Sequence, residues 1–216
     1  YRLIAMEIIA IFPPYIYSIQ YDGSEKALLF DTCYGIGDLR KEVEAITNKE
    51  LIVVNSHGHM DHSCGNYQFD KVYINEADIE LCKKHNNEDR RYKNIEAAKK
   101  SNVLPEDFDI NKYINAGCGN LEKVDIGYIF DLGGLKLEVV RMEGHTQGSI
   151  GLFIKDWKLM LVSDAACPFV WLSLEETTNL STYVKMLEEL GYKITEDTSP
   201  NEIYRLAKEL EKKAKY

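Results

Sequence analysis

"LIVVNSHGHMDHSCGN", residues 51–66, puts His57, His59, Asp61 and His62 directly behind a run of apolar residues, and three of the chain's five histidines fall inside it. A short, nearly all-apolar strand is the kind covered on both faces, and the C-terminal end of such a strand is where layered α/β proteins build their sites. Zinc and similar cations need neutral imidazoles and ionised carboxylates converging to about 2 Å from the ion. On extended backbone His57 and His59 share a face, whereas a helical metalloprotease pair stands four residues apart around a glutamate. Gly58, so close to the strand end, favours a loop. Asp61 and His62 are adjacent and can point to different positions, which suits two neighbouring ions better than one. Gly65 is read as supplying the backbone freedom to leave the loop.

Upstream, "YIYSIQYDGSEKALLFDT" (15–32) reads as a hairpin, with alternation through Ile16, Ser18 and Gln20, a turn at Gly23, and the apolar run Ala27 to Phe30. "GDLRKEVEAIT" (37–47) sets Leu39, Val43 and Ile46 on one helical face, with Asp38 placed to cap it. Downstream, "KVYIN" (71–75) is a second strand. From Glu76 to about Asn102 the chain is polar and helical, and "VLPEDFDINKYINAGCGN" (103–120) has the turn residues of a loop, so 76–120 reads as an insertion or lid. Strands resume in "GYIFDLGGLKLEVVRM" (127–142), a hairpin around Gly133-Gly134, and in "SIGLFIKDWKLMLVSD" (149–164), turning at Asp156. Two helices follow, "LSTYVKMLEELG" (180–191) with Tyr183, Leu187 and Leu190 on one face, and one beginning "SPNEIYRLAKEL" (199–210) with a capping box from Ser199 to Glu202. With no linker between the two rounds of hairpins and helices, residues 1–216 read as a single mixed α/β domain.

A formal net charge of -9 argues against a nucleic-acid backbone or an anionic membrane as the main partner, since both recruit positive surfaces. Five cysteines, Cys33, Cys64, Cys82, Cys118 and Cys167, form no CxxC pair, which points to a reducing compartment and a cytoplasmic location rather than a disulfide framework. The apolar opening "YRLIAMEIIAIFPPYIYSIQ" is broken by Glu7 and Pro13-Pro14, too short for a membrane span, and lacks the basic start of a signal peptide.

His145, in "MEGHTQGSI" behind the strand "KLEVV", and Asp164, ending "KLMLVSD", bring two more strand ends to the same rim. His85, inside a polar helix, reads as an ordinary surface or hydrogen-bonded histidine. Taken together, "HGHMDH" resembles the HxHxDH signature of the metallo-beta-lactamase-fold hydrolases, "GHTQGS" their third-histidine segment, "LVSDA" the strand carrying their bridging aspartate, and "LLFDT" the early strand ending in a structural aspartate. The resemblance covers residues 15 to about 170 in the family order. It implies a four-layer αββα sandwich with a binuclear centre at the sheet edge, His57, His59 and His145 holding the first ion, Asp61 and His62 the second, and Asp164 bridging. One departure stands out. The family supplies a last histidine from a loop after the helix corresponding to "LSTYVKMLEELG", and no histidine follows His145. Either the encoded protein carries extra residues between Gly191 and Ser199, or the second site is completed by Glu196, Asp197 or water, or it is absent.

The implied cofactor is zinc, two ions, with iron or manganese as alternatives. Such ions lower the pKa of a coordinated water and stabilise developing negative charge, so hydrolysis is the expected outcome, with Asp61 orienting the water as well as binding. The expected substrate is a small molecule with an ester-like, thioester, lactone or beta-lactam bond. A degenerate binding or structural member and a phosphodiesterase or nuclease-like relative are the competing readings. A flavin-linked diiron oxygen reductase would resemble HxExD at the first motif, and His59 speaks against it. Tyr34, Phe169 and Trp171 are candidates for a pocket wall. Cys64 and Cys167 lie near enough in sequence to reach the rim, though a small buried role is the commoner one for each.

Overall fold

The computed structural model describes residues 19–166 and 170–190. Among the described residues nine strands form two sheets. The first holds β1 (Ile19–Asp22), β2 (Lys26–Phe30), β3 (Glu50–Val54), β4 (Val72–Ile74) and β5 (Leu121–Lys123) in chain order. β1 pairs antiparallel with β2, Asp22 opposite Ala27, which confirms the hairpin; the pairs from β2 to β5 are parallel. The second sheet is an antiparallel meander of β6 (Ile129–Asp131), β7 (Lys136–Arg141), β8 (Ile150–Ile154) and β9 (Leu159–Leu161). Its two hairpins are those expected around Gly133-Gly134 and Asp156.

Alternation along β2 explains the layering. Leu28 and Phe30 point between the sheets, where Val54 joins them against Leu137, Val139, Ile150, Leu152 and Ile154 from the other sheet. Leu29, together with Val53 and Val72, points the opposite way onto Leu39 and Val43 of helix α1 (Leu39–Ile46). Val140 faces outward from the second sheet and meets Tyr183 and Met186 of helix α6, Leu180–Glu189, alongside Met142. The order is helix, sheet, sheet, helix, the αββα sandwich expected. Full burial of each of these aliphatic side chains contributes about 1.5–3 kcal/mol, so the inter-sheet layer is the main source of stability.

Asp38 caps α1 by accepting from the Lys41 backbone N–H, as anticipated, while Ile46 at the far end is 40% exposed and adds little to that face. Between β3 and β4 the chain makes one helical turn, α2 (Met60–Ser63), continued as a 3-10 turn through Gln68. The polar segment holds α3 (Ile79–His85), α4 (Glu88–Lys100) and, within the stretch read as a loop, α5 (Ile110–Ile114). Ile95, Ala98 and Tyr113 pack there against Ile36 in a small core of their own. Gly65 has a role other than the one its sequence context suggested. A Cβ on it would collide with the Thr32 carbonyl oxygen, so it is required by the close approach of two chain segments. The helix expected from Ser199 and the segment Gly191 to Ser199 lie outside the described residues.

Candidate metal centre

Three connections meet at one edge of the sandwich: the turn after β3, the loop after β7 and the turn after β9. His57, His59 and His62 come from the first, His145 from the second and Asp164 from the third. All four histidines are buried, at 7% exposure or less. Two backbone features aim the supporting groups. Asp31 at the end of β2 and Ser163 after β9 both take left-handed backbone (φ 68° and 46°), uncommon for residues with a Cβ and typical of strain held at functional positions.

The imidazole nitrogens converge. His59 Nδ1 lies 3.0 Å from His57 Nε2 and 3.0 Å from His145 Nε2. Three nitrogens around one tetrahedral ion at about 2.0–2.1 Å would stand a few tenths of an ångström farther apart, so the triangle fits an ion after a slight expansion. The opposite ring nitrogens fix which lone pairs face inward. His145 Nδ1 is 2.8 Å from the Trp171 carbonyl oxygen, which can only accept, so the proton sits on Nδ1 and Nε2 is bare. His59 Nε2 donates to the Glu176 carboxylate at 2.6 Å, leaving Nδ1 bare. Ser56 Oγ donates to Asp31 Oδ2 at 2.8 Å and accepts from His57 Nδ1 at 2.8 Å, leaving His57 Nε2 bare. Three lone pairs aimed at one another within a buried pocket repel unless a cation stands among them.

A second group shares His57. It comprises His57, His62 and Asp164. His62 Nδ1 bonds Asp31 Oδ2 at 2.9 Å, and its other nitrogen is buried without a hydrogen bond, 3.4 Å from Asp164 Oδ2 and 3.8 Å from Asp61 Oδ2. A buried, unpartnered nitrogen facing two carboxylates is what a cation site looks like. Asp164 Oδ2 is also 3.6 Å from His145 Nε2, so one oxygen lies between the two groups. Asp61 faces His62 with 28% of its side chain exposed, against 38% for Asp164.

The electrostatics divide accordingly. Burial, with the neighbouring imidazoles, holds His57 well below its ordinary range, and burial with His145 lowers His59 to about 4, so both are neutral at physiological pH, the form a metal ligand requires. Burial also lowers His62, but Asp31 and Asp61 outweigh it and hold the ring well above its usual range. Burial raises Asp164, and the opposing pull of His62 and His145 leaves it below the usual carboxylate range. The second group is an anionic pocket that keeps a cationic group at His62.

The backbone that carries these side chains is itself pinned. Asp78 accepts from the Gly58 and Gly148 N–H groups at 2.7 Å each and from Thr146 Oγ1 at 2.7 Å, tying the His57–His59 turn to the loop of His145. A Cβ at Gly58 would lie 2.7 Å from the Asp78 carbonyl oxygen, which explains the glycine between the two histidines.

His57, His59, Asp61, His62, His145 and Asp164 are thus brought to one rim, while Glu196 and Asp197 lie outside the described residues. Three more functional neighbours were not legible in the sequence: Asp78, Glu176 and His85. His85 is 7% exposed and takes the hydrogen-bonded alternative of its sequence reading, its Nδ1 3.5 Å from Arg90 Nη1, while its ring stacks on that of His59 with centroids 4.8 Å apart. Cys64 is fully buried, its Sγ facing Asn94, apart from both histidine groups. Trp171 is 65% exposed beside His145, whereas Cys167 and Phe169 lie outside the described residues. Among the described residues no helix is long and apolar enough to cross a membrane.

Comparison with known proteins agrees with this geometry. Residues 11–215 match the family model of the metallo-beta-lactamase superfamily. The acyl-coenzyme A thioesterases MBLAC2 of Homo sapiens and of Bos taurus are each 26% identical to the chain over 183 residues, 78% of this chain and 64% of theirs. The chain therefore spans about 64% of the length of the curated relatives it matches. Among solved structures, TTHA1623 in a di-iron-bound form superposes with a TM-score of 0.57 at 15% identity, covering 85% of each chain. A metallo-beta-lactamase family protein from Thermus thermophilus gives 0.55 at 17% identity, covering 81% of this chain and 64% of that one. At such identities the structures speak for the fold, and the family match over most of the sequence establishes the rest: this chain belongs to the metallo-beta-lactamase superfamily.

Proposed function

We propose that the chain is a binuclear metal-dependent hydrolase whose substrate is a thioester of a small acyl group. The observation that carries the metal-dependent reading is the convergence of the bare nitrogens of His57, His59 and His145, with His62 Nε2 facing Asp164 beside them and each ring's opposite nitrogen held by a partner. His57, His59 and His145 are assigned to one ion, His62 and Asp61 to the other, with Asp164 between them. Bound there, divalent cations would acidify water and polarise a carbonyl oxygen. Nitrogen and carboxylate donors of this kind suit zinc, and also iron or manganese.

Around that chemistry the chain's own residues have separate tasks. Asp61 is a part-exposed carboxylate beside His62, given the task of orienting an attacking water and accepting its proton. Asp31 and Ser56 fix the orientation of His57 and His62 from below. Trp171 and Tyr34 flank the rim, Tyr34 lying close enough to Asp61 for that carboxylate, after burial, to help push its phenol up to about 12 and keep it a neutral donor. The choice of a thioester over a lactone or beta-lactam rests on the curated relatives, which are named for acyl-coenzyme A hydrolysis.

The test is metal analysis of the purified protein run beside a panel of acyl-coenzyme A thioesters, lactones and a chromogenic beta-lactam. About two metals per chain and thioester turnover that chelation abolishes are expected. His59→Ala should lose turnover while keeping its circular dichroism spectrum. Full thioester turnover in metal-free protein would refute the mechanism, and turnover of only the lactone or beta-lactam would refute the substrate.

A further inference from the structure

The loop that joins the Asp164 turn to α6 touches the first histidine group twice, from outside. Its Trp171 carbonyl accepts from His145 Nδ1 at 2.8 Å, and five residues on, Glu176 Oε1 accepts from His59 Nε2 at 2.6 Å. The loop is held against the site where Thr178 N donates to the Gly144 carbonyl at 2.9 Å, beside His145, and it is braced internally by Thr177 Oγ1 donating to the Leu174 carbonyl at 2.9 Å. Lys84 of α3 reaches Glu175 at 3.2 Å, an exposed pair that contributes little energy. Glu176 differs from Glu175. Its side chain is only 19% exposed and points inward, and its other neighbour, His85 Nε2, is 3.7 Å away, beyond hydrogen-bond distance. The short contact therefore belongs to His59, whose opposite ring face is braced by the His85 ring.

We infer that Glu176 is the positioning residue of His59: its carboxylate fixes the tautomer and ring orientation that aim Nδ1 at the first ion, and so sets the affinity of that site. This rests on the metal-centre reading above. A carboxylate accepting from the far nitrogen of a ligating imidazole makes the near nitrogen a better donor and removes the rotational freedom of the ring; losing such a partner typically costs 10–100-fold in metal affinity. Glu176 stands 117 residues from His59 in the chain, so the loop after β9 also determines whether the first histidine turn is ready to bind.

The experiment measures zinc affinity by competition with a chromophoric chelator, and the visible spectrum of the cobalt-substituted protein, for wild type, Glu176→Gln, Glu176→Ala, Glu176→Asp and Glu175→Ala. Melting temperatures of all five are taken metal-free. Glu176→Ala should weaken one of the two bound equivalents about 10–100-fold and change the cobalt spectrum. Glu176→Gln, which keeps an acceptor oxygen but no charge, should fall between, Glu176→Asp should recover part of the loss, and Glu175→Ala should match wild type. Unchanged zinc affinity in Glu176→Ala would overturn the inference, as would a lower metal-free melting temperature with affinity intact, which is the signature of a merely structural contact. A wild-type chain that binds no metal would instead overturn the proposed function, and this inference with it.

Discussion

His62 and Asp31 form a buried pair, Nδ1 to Oδ2 at 2.9 Å, across the junction between β2 and the turn after β3. The same carboxylate accepts from the Ser56 backbone N–H at 2.7 Å, from Ser56 Oγ at 2.8 Å and from Ser163 Oγ at 3.1 Å, so one side chain links three strand ends. Asp31→Ala would leave those donors buried and unpaired and is expected to cost about 3–5 kcal/mol. Asp31→Asn tolerates the left-handed backbone but turns an amide N–H₂ toward at least one donor, so it should fall between the two. Urea unfolding of the metal-free proteins gives the values; an Asp31→Ala loss under about 1 kcal/mol, the scale of one ordinary hydrogen bond, would reduce Asp31 to a turn residue.

Asp164 is expected to decide metal stoichiometry. Its Oδ2 lies 3.4 Å from His62 Nε2 and 3.6 Å from His145 Nε2, one from each histidine group. Asp164→Asn preserves shape while removing a negative charge, so bound metal should drop from near two to near one per chain, and turnover by orders of magnitude. Elemental analysis after dialysis reads the first and steady-state kinetics the second. Two metals and normal turnover in Asp164→Asn would return the residue to a strand-end role.

The sequence carried most of this because the strongest signals were local. Alternation in Leu28, Leu29 and Phe30 already encodes a strand between two layers, and the crowded histidines behind β3 encode a metal turn. What it did not carry was either weakly patterned or distant. β5 is short and polar, one partly buried leucine followed by two exposed residues, so no alternation marks it. α5 hides among turn-forming residues and is anchored by Tyr113, whose burial depends on partners more than ten residues away. Glu176 and His85 belong to no motif and gain their place from packing across 117 and 26 positions from His59, a relation that only the fold creates. Gly65 was correctly marked but for the wrong reason, because a close approach to Thr32 cannot be read from a single segment.

Arg91 gives a test of the helical segment. It is fully buried, yet its guanidinium is satisfied by carbonyl oxygens: Asn86 at 3.3 Å, Tyr113 at 3.2 Å, Cys64 at 2.9 Å and Gly117, with the Asn86 side chain at 2.9 Å. The ring of Tyr113 lies 4.6 Å beneath it. The planar fork joins α4 to α5, the following turn and the end of the histidine turn, a geometry lysine cannot reproduce. Arg91→Met should lose about 3 kcal/mol or more by leaving several carbonyls unpaired. Arg91→Lys should recover only part. Chemical denaturation measures both, and a neutral Arg91→Met would show that those carbonyls find water.

Cys118 is expected to be an unusually reactive thiol. It sits between Gly117 and Gly119, half-buried in a cleft that Lys83, Asn86 and Asn87 also line. The neighbouring Cys82 thiol lowers Cys118 to about 6 against the opposing effect of burial, with Lys83 assisting, while the same neighbour and full burial push Cys82 up. The two shifts run in opposite directions, favouring the thiolate on Cys118 and the thiol on Cys82. Because the pKa is lowered, the thiolate fraction rises as pH passes 6 rather than about 8.5, so Cys118 should be mostly thiolate at pH 7. Iodoacetamide labelling followed by peptide mapping should give a rate for Cys118 with a midpoint near pH 6, and Cys82→Ala should move that midpoint up toward the ordinary value. A Cys118 midpoint near about 8.5 in the wild-type chain would mean that Cys82 does not lower its neighbour, and faster labelling of Cys82 would reverse the assignment of the charge.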